Sequence, residues 1–130
     1  MILISCADNA FGLRFNGRRQ SRDRAVSARI LDRCGGRLWL SEKSRVLFPE
    51  GELHPVSAPS QVPPGESCFW EEPAEVIPEK IVLYRWNQDY PGDAFFAFPG
   101  GMDRWKLESS QDFPGFSHER ITEEIYIPKE

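Results

Sequence analysis

The sequence predicts a single α/β domain with a mixed, mainly parallel sheet that ends in an antiparallel hairpin. One amphipathic helix pattern follows a continuously apolar strand at residues 2–6 and precedes a second short apolar strand. Two extended segments near the end of the chain flank a Phe-Pro-Gly turn. The 130 residues, of which 40% are hydrophobic and 28% charged, suffice for one core of ordinary globular composition. No internal repeat interrupts this organisation.

The helix at residues 21–34 is the element around which we expect the chain to be organised. Ser21 is a good N-cap, and Gly35 supplies a left-handed stop. The buried stripe of the helix is predicted to consist of Val26, Ile30, Leu31 and Cys34. Asp23 lies on the same stripe, so it either complements the helix dipole or forms the floor of a pocket between helix and sheet. In a pocket it would hold the cationic face of a ligand or pass a proton.

The first half of the chain reads as strand, loop, helix and strand. After residues 2–6, a turn-rich loop leads to a short extended piece at 13–15 and the strong turn pair Asn16-Gly17. The second strand at 37–40 is expected to pair in parallel with the first. Ser41 then caps two helical turns over residues 42–48, which Pro49 ends.

The second half is richer in strands. The proline-rich residues 49–66 are predicted to be an irregular surface loop. Strands are predicted, in order, at 67–70, 80–86 and 94–98, and the closing hairpin at 105–109 and 121–127.

Charge is distributed unevenly along the chain. Residues 1–45 carry ten basic and four acidic groups, a net charge of +6, so the remainder carries −10 within an overall charge of −4. Five arginines, 14, 18, 19, 22 and 24, surround one loop, which predicts either a focused site for an anionic ligand or a solvated face neutralised by the acidic half. The acidic pI and the absence of interleaved basic and aromatic residues argue against nucleic-acid binding.

Cysteine and histidine usage favours a cytoplasmic protein without a metal centre. Cys6, Cys34 and Cys68 lie in apolar runs and form no Cys-x-x-Cys pair, so we expect buried free thiols in a reducing compartment. His54 and His118 are isolated, and no ligand spacing indicates zinc. The apolar start of the chain is too short for a signal peptide, and no segment has the length of a membrane span.

The order of elements, with the residues at both ends, resembles dihydrofolate reductase, in a shortened form. At the front the resemblance rests on the first strand, Asp8, Gly12-Leu13, Asn16-Gly17 and a helix with an acid in its first turn. At the back it rests on Ile81-Val82-Leu83-Tyr84, Gly92-Asp93-Ala94-Phe95-Phe96, Trp105-Lys106-Leu107, Ser117-His118 and Glu124-Ile125-Tyr126. Together these cover roughly residues 1–48 and 66–130.

The resemblance implies a set of site residues. Asp23 would be the carboxylate that binds the pterin, with the Tyr84 hydroxyl bonded to it and lowering its pKa, unless Tyr84 is only a sheet tyrosine. Asn16, Arg18, Arg19 and Arg22 would line a closing loop, and Arg85, Trp86 and Asn87 the opposite rim, where a surface cross-strand pair is the alternative for Arg85 and Trp86. His118 is a candidate acid or base near neutral pH, with a structural role as its alternative.

The middle of the chain departs from the reductase pattern. Leu40 to Ser44 stands where reductases have Gly-Arg-x-Thr, and Trp70-Glu71-Glu72 stands where they have Gly-Gly. An indole and two carboxylates would exclude a pyrophosphate by bulk and by charge. We therefore do not expect NADPH to bind in the ordinary mode.

The chain also resembles a group of small bacterial proteins through three segments. They are Phe-Asn-x-Arg-Arg-Gln-Ser-x-Asp at 15–23, Arg-Trp-Asn-x-x-Tyr-Pro at 85–91 and Phe-Pro-Gly-x-Ser-His-Glu at 113–119. Members are sometimes labelled ribonuclease Z, a hydrolase of metallo-β-lactamase type. Such an enzyme needs a cluster of histidines and aspartates for two zinc ions, which two isolated histidines do not supply.

Three functional hypotheses follow. The leading one is a binding or pseudoenzyme module that holds a small anionic, pterin-like or nucleotide-like molecule between Asp23 and the arginine-rich loop. The second is an active enzyme of altered chemistry, either a reductase with non-standard NADPH binding or a hydrolase that uses Asp23 with Tyr84 or His118. The third is a protein interaction module that uses exposed aromatic side chains.

Overall fold

The computed structural model describes residues 1–130, which form ten strands and one α-helix. The helix, α1, is Arg24–Arg33. The strands are β1 (Ile2–Ala7), β2 (Gly12–Phe15), β3 (Arg18–Arg19), β4 (Arg37–Leu40), β5 (Glu52–Pro55), β6 (Ser67–Phe69), β7 (Lys80–Arg85), β8 (Ala94–Phe95), β9 (Trp105–Phe113) and β10 (Ile121–Pro128). Short 3-10 helices occupy Glu42–Leu47, Pro59–Gln61 and Met102–Arg104.

Seven strands form the central sheet in the order β5-β4-β6-β1-β7-β10-β9. The first five are mutually parallel, and β10 and β9 add the antiparallel hairpin. The predicted fold class is thus confirmed. The expectation that β1 and β4 pair directly is wrong, because β6 lies between them and is parallel to both.

Each face of the central sheet carries a core of its own. Successive residues of β1 and β7 point to opposite faces, which explains why both strands are apolar without alternation. Leu3, Ile81 and Leu83 lie in one core, and Ile4 and Val82 in the other. The second core also contains Val26 and Ile30, the two buried residues of α1. The helix therefore covers one face, and β2 together with several loops covers the other.

A three-stranded sheet, in the order β3-β2-β8, projects the arginine-rich loop from the domain. Its β2–β3 hairpin turns at Asn16 and Gly17, whose φ angles of 52° and 72° are those of a two-residue hairpin turn. Register places Arg14 opposite Arg19 and Phe15 opposite Arg18. The hairpin thereby brings three of the predicted cationic residues onto one short ribbon.

Three local predictions need correction. Residues 49–66 are not wholly irregular, because β5 pairs in parallel with β4 at the edge of the sheet, where Pro55 at the end of the strand is tolerated. The predicted strand at 94–98 shortens to β8, two residues of the small sheet. The helix predicted over 42–48 is a 3-10 helix over Glu42–Leu47 rather than an α-helix, and Ser41 precedes it without a capping side-chain hydrogen bond.

The three cysteines are unpaired thiols that lie buried or half-buried. Burial raises the pKa of Cys6 and Cys34 and raises that of Cys68 to about 12. These groups are therefore protonated near neutral pH. None of the helices has the length and apolar character needed to cross a membrane.

Candidate functional site

Asp23, not Ser21, is the N-cap of α1. Its backbone is extended, with φ −151° and ψ 129°, and its Oδ1 accepts the Ala25 amide at 2.8 Å. Serine and aspartate are both favoured N-cap residues, so residue type alone does not decide between Ser21 and Asp23. The helix consequently starts at Arg24, two residues later than a cap at Ser21 predicts.

The Asp23 carboxylate is also the anchor for a distant loop. It accepts hydrogen bonds from the backbone amides of Phe116 at 2.9 Å, Ser117 at 2.9 Å and His118 at 3.1 Å. Gly115 allows the loop to come this close, because a Cβ there would lie 2.8 Å from Asp23 Oδ2. The side chain has no exposed surface. Asp23 is thus buried beneath a protein loop and does not form the open floor of a pocket, as one interpretation of the sequence had it.

Burial and hydrogen bonding oppose each other at Asp23. Removal from water favours the neutral acid, but the amides of Phe116, Ser117 and Ala25 and the His118 ring donate to the carboxylate. The donors prevail and hold the pKa of Asp23 well below its usual range. The carboxylate is therefore ionised at neutral pH.

His118 links this carboxylate to two hydroxyl groups. Its Nδ1 lies 2.9 Å from Asp23 Oδ2, and its Nε2 lies 3.0 Å from Ser21 Oγ and 3.1 Å from the Tyr90 hydroxyl. The ring stacks on Trp86, with the centroids 4.8 Å apart and the planes 23° apart. The segments 15–23, 85–91 and 113–119, far apart in the chain, thus meet at one imidazole.

Tyr84 belongs to a different cluster, so the expected Tyr84–Asp23 bond is wrong. The Tyr84 hydroxyl donates to Glu123 Oε2 at 2.8 Å, and Arg29 and Arg33 of α1 bind the same carboxylate at 2.9 Å. Burial alone would raise the pKa of Glu123, yet these donors lower it to about 2. Burial and the Glu123 hydrogen bond raise the pKa of Tyr84. This cluster fastens α1 to β10 and is separate from the Asp23 carboxylate.

A basic groove opens beside Ser21. We call it the arginine groove; its volume is about 600 Å³ and it is lined by Arg14, Gly17, Arg18, Arg19, Ser21, Arg22 and Lys43. Only Arg19 among the five cations pairs with a carboxylate, that of Glu71 at 2.8 Å. Arg14 donates to the Gly17 carbonyl within the hairpin. The groove therefore keeps an excess of positive charge.

A second depression of about 800 Å³ runs between α1, residues 46–50 and the loop that Asp23 anchors. We call it the α1 cleft. Its apolar side includes Leu31, Val46 and Phe116, the last two 62% and 67% exposed. Arg22 lines both this cleft and the arginine groove. The two depressions therefore adjoin at Arg22.

The remaining predicted ligand-binding residues serve the fold. The backbone amide of Asn16 donates to Asp93 Oδ2 at 3.0 Å and fixes the hairpin turn. Arg85 donates to the Asp8 carbonyl, pairs with Glu124 at 3.2 Å and lies over the Phe11 ring at 4.0 Å. Asn87 donates to the Arg120 carbonyl at 3.1 Å. Trp86 is buried against His118, so these residues do not form a rim opposite the arginine groove.

The sequence analysis does not identify several polar residues of the site, among them Ser21, Tyr90, Glu71 and Glu123. Ser21 was assigned to capping alone, although it lies two residues from Asp23 in the same segment. Glu123 alternates with Ile121 and Ile125 on the buried face of β10, which marks it as an inward carboxylate that needs a partner. The partners of this carboxylate are also visible in the sequence. Arg29 and Arg33 are four residues apart, so they lie on the same side of α1. The sequence indicates Glu71 only as a barrier to pyrophosphate, not as the partner of Arg19 and Ser44.

No family model matches the sequence, and no curated protein matches it. A solved structure does match the fold: the dihydrofolate reductase of Enterococcus faecalis, described as a complex with NADP(H) and RAB-propyl. The alignment covers 99% of this chain and 96% of that chain, with a TM-score of 0.68 and 10% sequence identity. The chain has a dihydrofolate reductase-like fold. At this identity the likeness concerns the fold alone.

The residues that would face the dinucleotide in this dihydrofolate reductase-like fold do not suit a pyrophosphate. Trp70 is 7% exposed and its carbonyl accepts from Ser5 Oγ at 2.8 Å. The Glu71 carboxylate, which follows directly, is held by Arg19 and by Ser44 Oγ at 2.6 Å. A pyrophosphate against this segment would meet a fixed negative charge instead of free backbone amides.

Proposed function

We propose that this domain binds a small anionic, pterin-like or nucleotide-like molecule whose charged group lies in the arginine groove. The observation that carries the proposal is the composition of the groove: five cationic side chains line it, with no carboxylate and no apolar residue among the lining. Guanidinium groups suit phosphate and carboxylate because they donate two parallel hydrogen bonds. A binding domain is the function that this arrangement supports best.

Electrostatics strengthens the proposal. Arg14 and Arg19 lie directly opposite each other in the hairpin, an arrangement of like charges that weakens a strand pair. Glu71 compensates Arg19, but Arg18 and Arg22 are exposed and Lys43 faces the same space. An anion in the groove would relieve this repulsion, so binding should raise the stability of the domain.

The α1 cleft supplies a place for the body of the ligand. It adjoins the arginine groove at Arg22 and offers the exposed apolar surface of Val46 and Phe116. A molecule with a planar or apolar body and an anionic end fits the two depressions together. The charged end supplies orientation, and the body supplies the buried area.

Thermal denaturation with pyrophosphate, a nucleoside monophosphate, folate and NADPH tests the proposal. A ligand at about 100 times its dissociation constant adds roughly 2.7 kcal/mol, which is several degrees for a domain of this size. The Arg18→Gln/Arg22→Gln variant should lose the shift, because both guanidinium groups line the groove. Arg104→Gln, which removes an exposed arginine elsewhere, should keep it. A shift that survives in the double variant, or no shift with any anion, would contradict the proposal.

The cysteines and the three shared segments support two further parts of the proposal. We propose a cytoplasmic location because the three cysteines are free, as is usual in a reducing compartment. We also propose that the chain is related to the small bacterial proteins that share segments 15–23, 85–91 and 113–119, because residues of all three segments lie together around His118, as residues of one shared site would.

A further inference from the structure

We propose that Ser21, His118 and Asp23 form a hydrolytic site, with Ser21 as the nucleophile, for esters of small acids that carry a second negative group. The inference rests on the proposed function, because the arginine groove would hold that negative group. It adds a reaction to the groove and assigns Ser21 a role beyond its position in the loop.

The first link is the contact between Asp23 and His118. The carboxylate is ionised and fully buried, and its oxygen lies 2.9 Å from His118 Nδ1. The proton of the neutral ring is therefore held on Nδ1, which leaves Nε2 unprotonated. The backbone amides that also bind Asp23 fix the carboxylate, and Trp86 fixes the plane of the ring.

The second link is the contact between His118 and Ser21. Ser21 Oγ lies 3.0 Å from Nε2, within reach for a hydroxyl proton to pass to the ring. The Tyr90 hydroxyl lies 3.1 Å from the same nitrogen. Since the neutral ring offers one lone pair there, the two hydroxyls share it. A nucleophile, a base and a group that orients the base thus stand in hydrogen-bonded sequence.

The third observation concerns access and substrate class. Ser21 is half-buried and lines the arginine groove together with Arg18, Arg22 and Lys43. An ester with a carboxylate or phosphate elsewhere in the molecule would bring its carbonyl group to Ser21 while that anion lies among the guanidinium groups. Arg22, the next residue in the chain, would stabilise the oxyanion that develops on the carbonyl oxygen.

The reaction proceeds by acyl transfer. Ser21 Oγ forms a bond to the carbonyl carbon as its proton moves to His118 Nε2. The bond from that carbon to the leaving oxygen breaks, and the leaving alkoxide takes the proton from Nε2. Water, deprotonated by Nε2, then attacks the acyl group, which leaves as the carboxylic acid while Ser21 recovers its proton.

A neutral fluorophosphonate tests the nucleophile directly, because it loses fluoride when a serine oxygen bonds to its phosphorus. Intact-mass measurement and peptide mapping of the purified full chain should find one adduct, on Ser21. Ser21→Ala and His118→Asn should lower the labelling rate at least about 100-fold. Ser60→Ala, at an exposed serine elsewhere, should label at the wild-type rate. Absence of an adduct on Ser21 in the wild type would overturn the proposal.

Hydrolysis of 4-nitrophenyl hemisuccinate, compared with 4-nitrophenyl acetate, tests the substrate class. The wild type should prefer the anionic ester, and Arg18→Gln should weaken that preference, whereas Arg104→Gln, at an exposed arginine elsewhere, should keep it. Equal hydrolysis by wild type and Ser21→Ala would reject the site. Failure of the two proposals is distinguishable: pyrophosphate stabilisation without labelling refutes the hydrolytic site alone, whereas labelling without any anion effect refutes the arginine groove.

Discussion

At the scale of single residues, the molecule depends on two buried carboxylates that fasten distant segments together. Asp23 holds the loop at 116–118, and Glu123 holds Arg29, Arg33 and Tyr84. Each is ionised despite burial, because donors surround it. Removing one partner from such a cluster leaves a buried charge unpaired. The resulting loss of stability is larger than the amount by which the intact cluster stabilises the fold relative to apolar residues in its place.

Asp23→Asn should lower the free energy of unfolding by about 2 to 3 kcal/mol at neutral pH. The amide still caps α1, so the loss comes from weaker bonds to the loop and from an NH₂ group that faces the His118 ring. Urea denaturation measures it. Asp32→Asn, an exposed acid in the same helix, should change stability by less than about 0.5 kcal/mol. An Asp23→Asn domain as stable as the wild type would show that the loop is held by other contacts.

Glu123→Gln should lower stability by about 3 kcal/mol at pH 7, the lower end for a broken buried pair, since Arg29 and Arg33 are 30% and 37% exposed and regain water. The pKa of Glu123 is lowered to about 2 in the folded state, so its stabilisation is complete above the ordinary carboxyl pKa and is lost as pH falls from about 5 to about 2.

The variant should therefore show a shallower loss of stability over that acid range than the wild type does. Urea denaturation at a series of pH values measures both curves. Glu108→Gln, at an exposed position of β9, serves as the control and should follow the wild-type curve. Parallel curves for wild type and Glu123→Gln would contradict the assignment.

Sequence reasoning selected Asp23 and His118 separately but could not bring them together. They lie 95 residues apart, and they come into contact only when the loop between β9 and β10 packs against the start of α1. Tyr84 was assigned to the wrong carboxylate for the same reason, since two buried acids compete for its hydroxyl and the strand register decides between them. The arginines of the groove were adjacent in sequence, so their clustering was visible without the fold.

At the scale of elements, apolar runs predicted β1, β4 and β7 well, because strands buried on both faces leave a continuous signal. The sequence does not predict β5, because Glu-Leu-His-Pro is short, lies in a proline-rich stretch and contains no apolar run. β9 extends through polar residues to Phe113 because its partner β10, and not its own sequence, defines its length.

At the same scale, Gly115 allows the loop that Asp23 anchors to pack closely against that carboxylate. A Cβ at this position would lie 2.6 Å from the His118 carbonyl oxygen and 2.8 Å from Asp23 Oδ2. Gly115→Ala should therefore push the loop away from α1 and cost about 1 to 3 kcal/mol, with faster hydrogen exchange at the amides of 116–118. Gly92→Ala should cost less, because a Cβ there would lie 3.0 Å from Gln20 Nε2 and no closer than 3.5 Å to the Phe95 ring. Equal effects of the two substitutions would argue against a tightly docked loop.

At the scale of the whole molecule, the strand order could not be read from the sequence. The insertion of β6 between β4 and β1 depends on long-range pairing that no local pattern records. The sequence does indicate where each kind of strand lies in the sheet. Continuously apolar runs predict the parallel strands at its centre, and the more polar hairpin near the end of the chain lies at its edge.

That edge leads to a prediction about self-association. β9 pairs only with β10, and residues 106–112 are exposed along its length, so a row of backbone groups is free to pair with another chain. Lys106 and Glu108 place charges there, and charges on an edge strand oppose such pairing. Lys106→Thr/Glu108→Thr leaves the net charge unchanged and should increase self-association in sedimentation velocity at high protein concentration. Lys129→Thr/Glu75→Thr, which makes the same change of charge at exposed positions off the edge, should sediment as the wild type does. If the two double variants associate equally, charge on β9 is not what protects this edge.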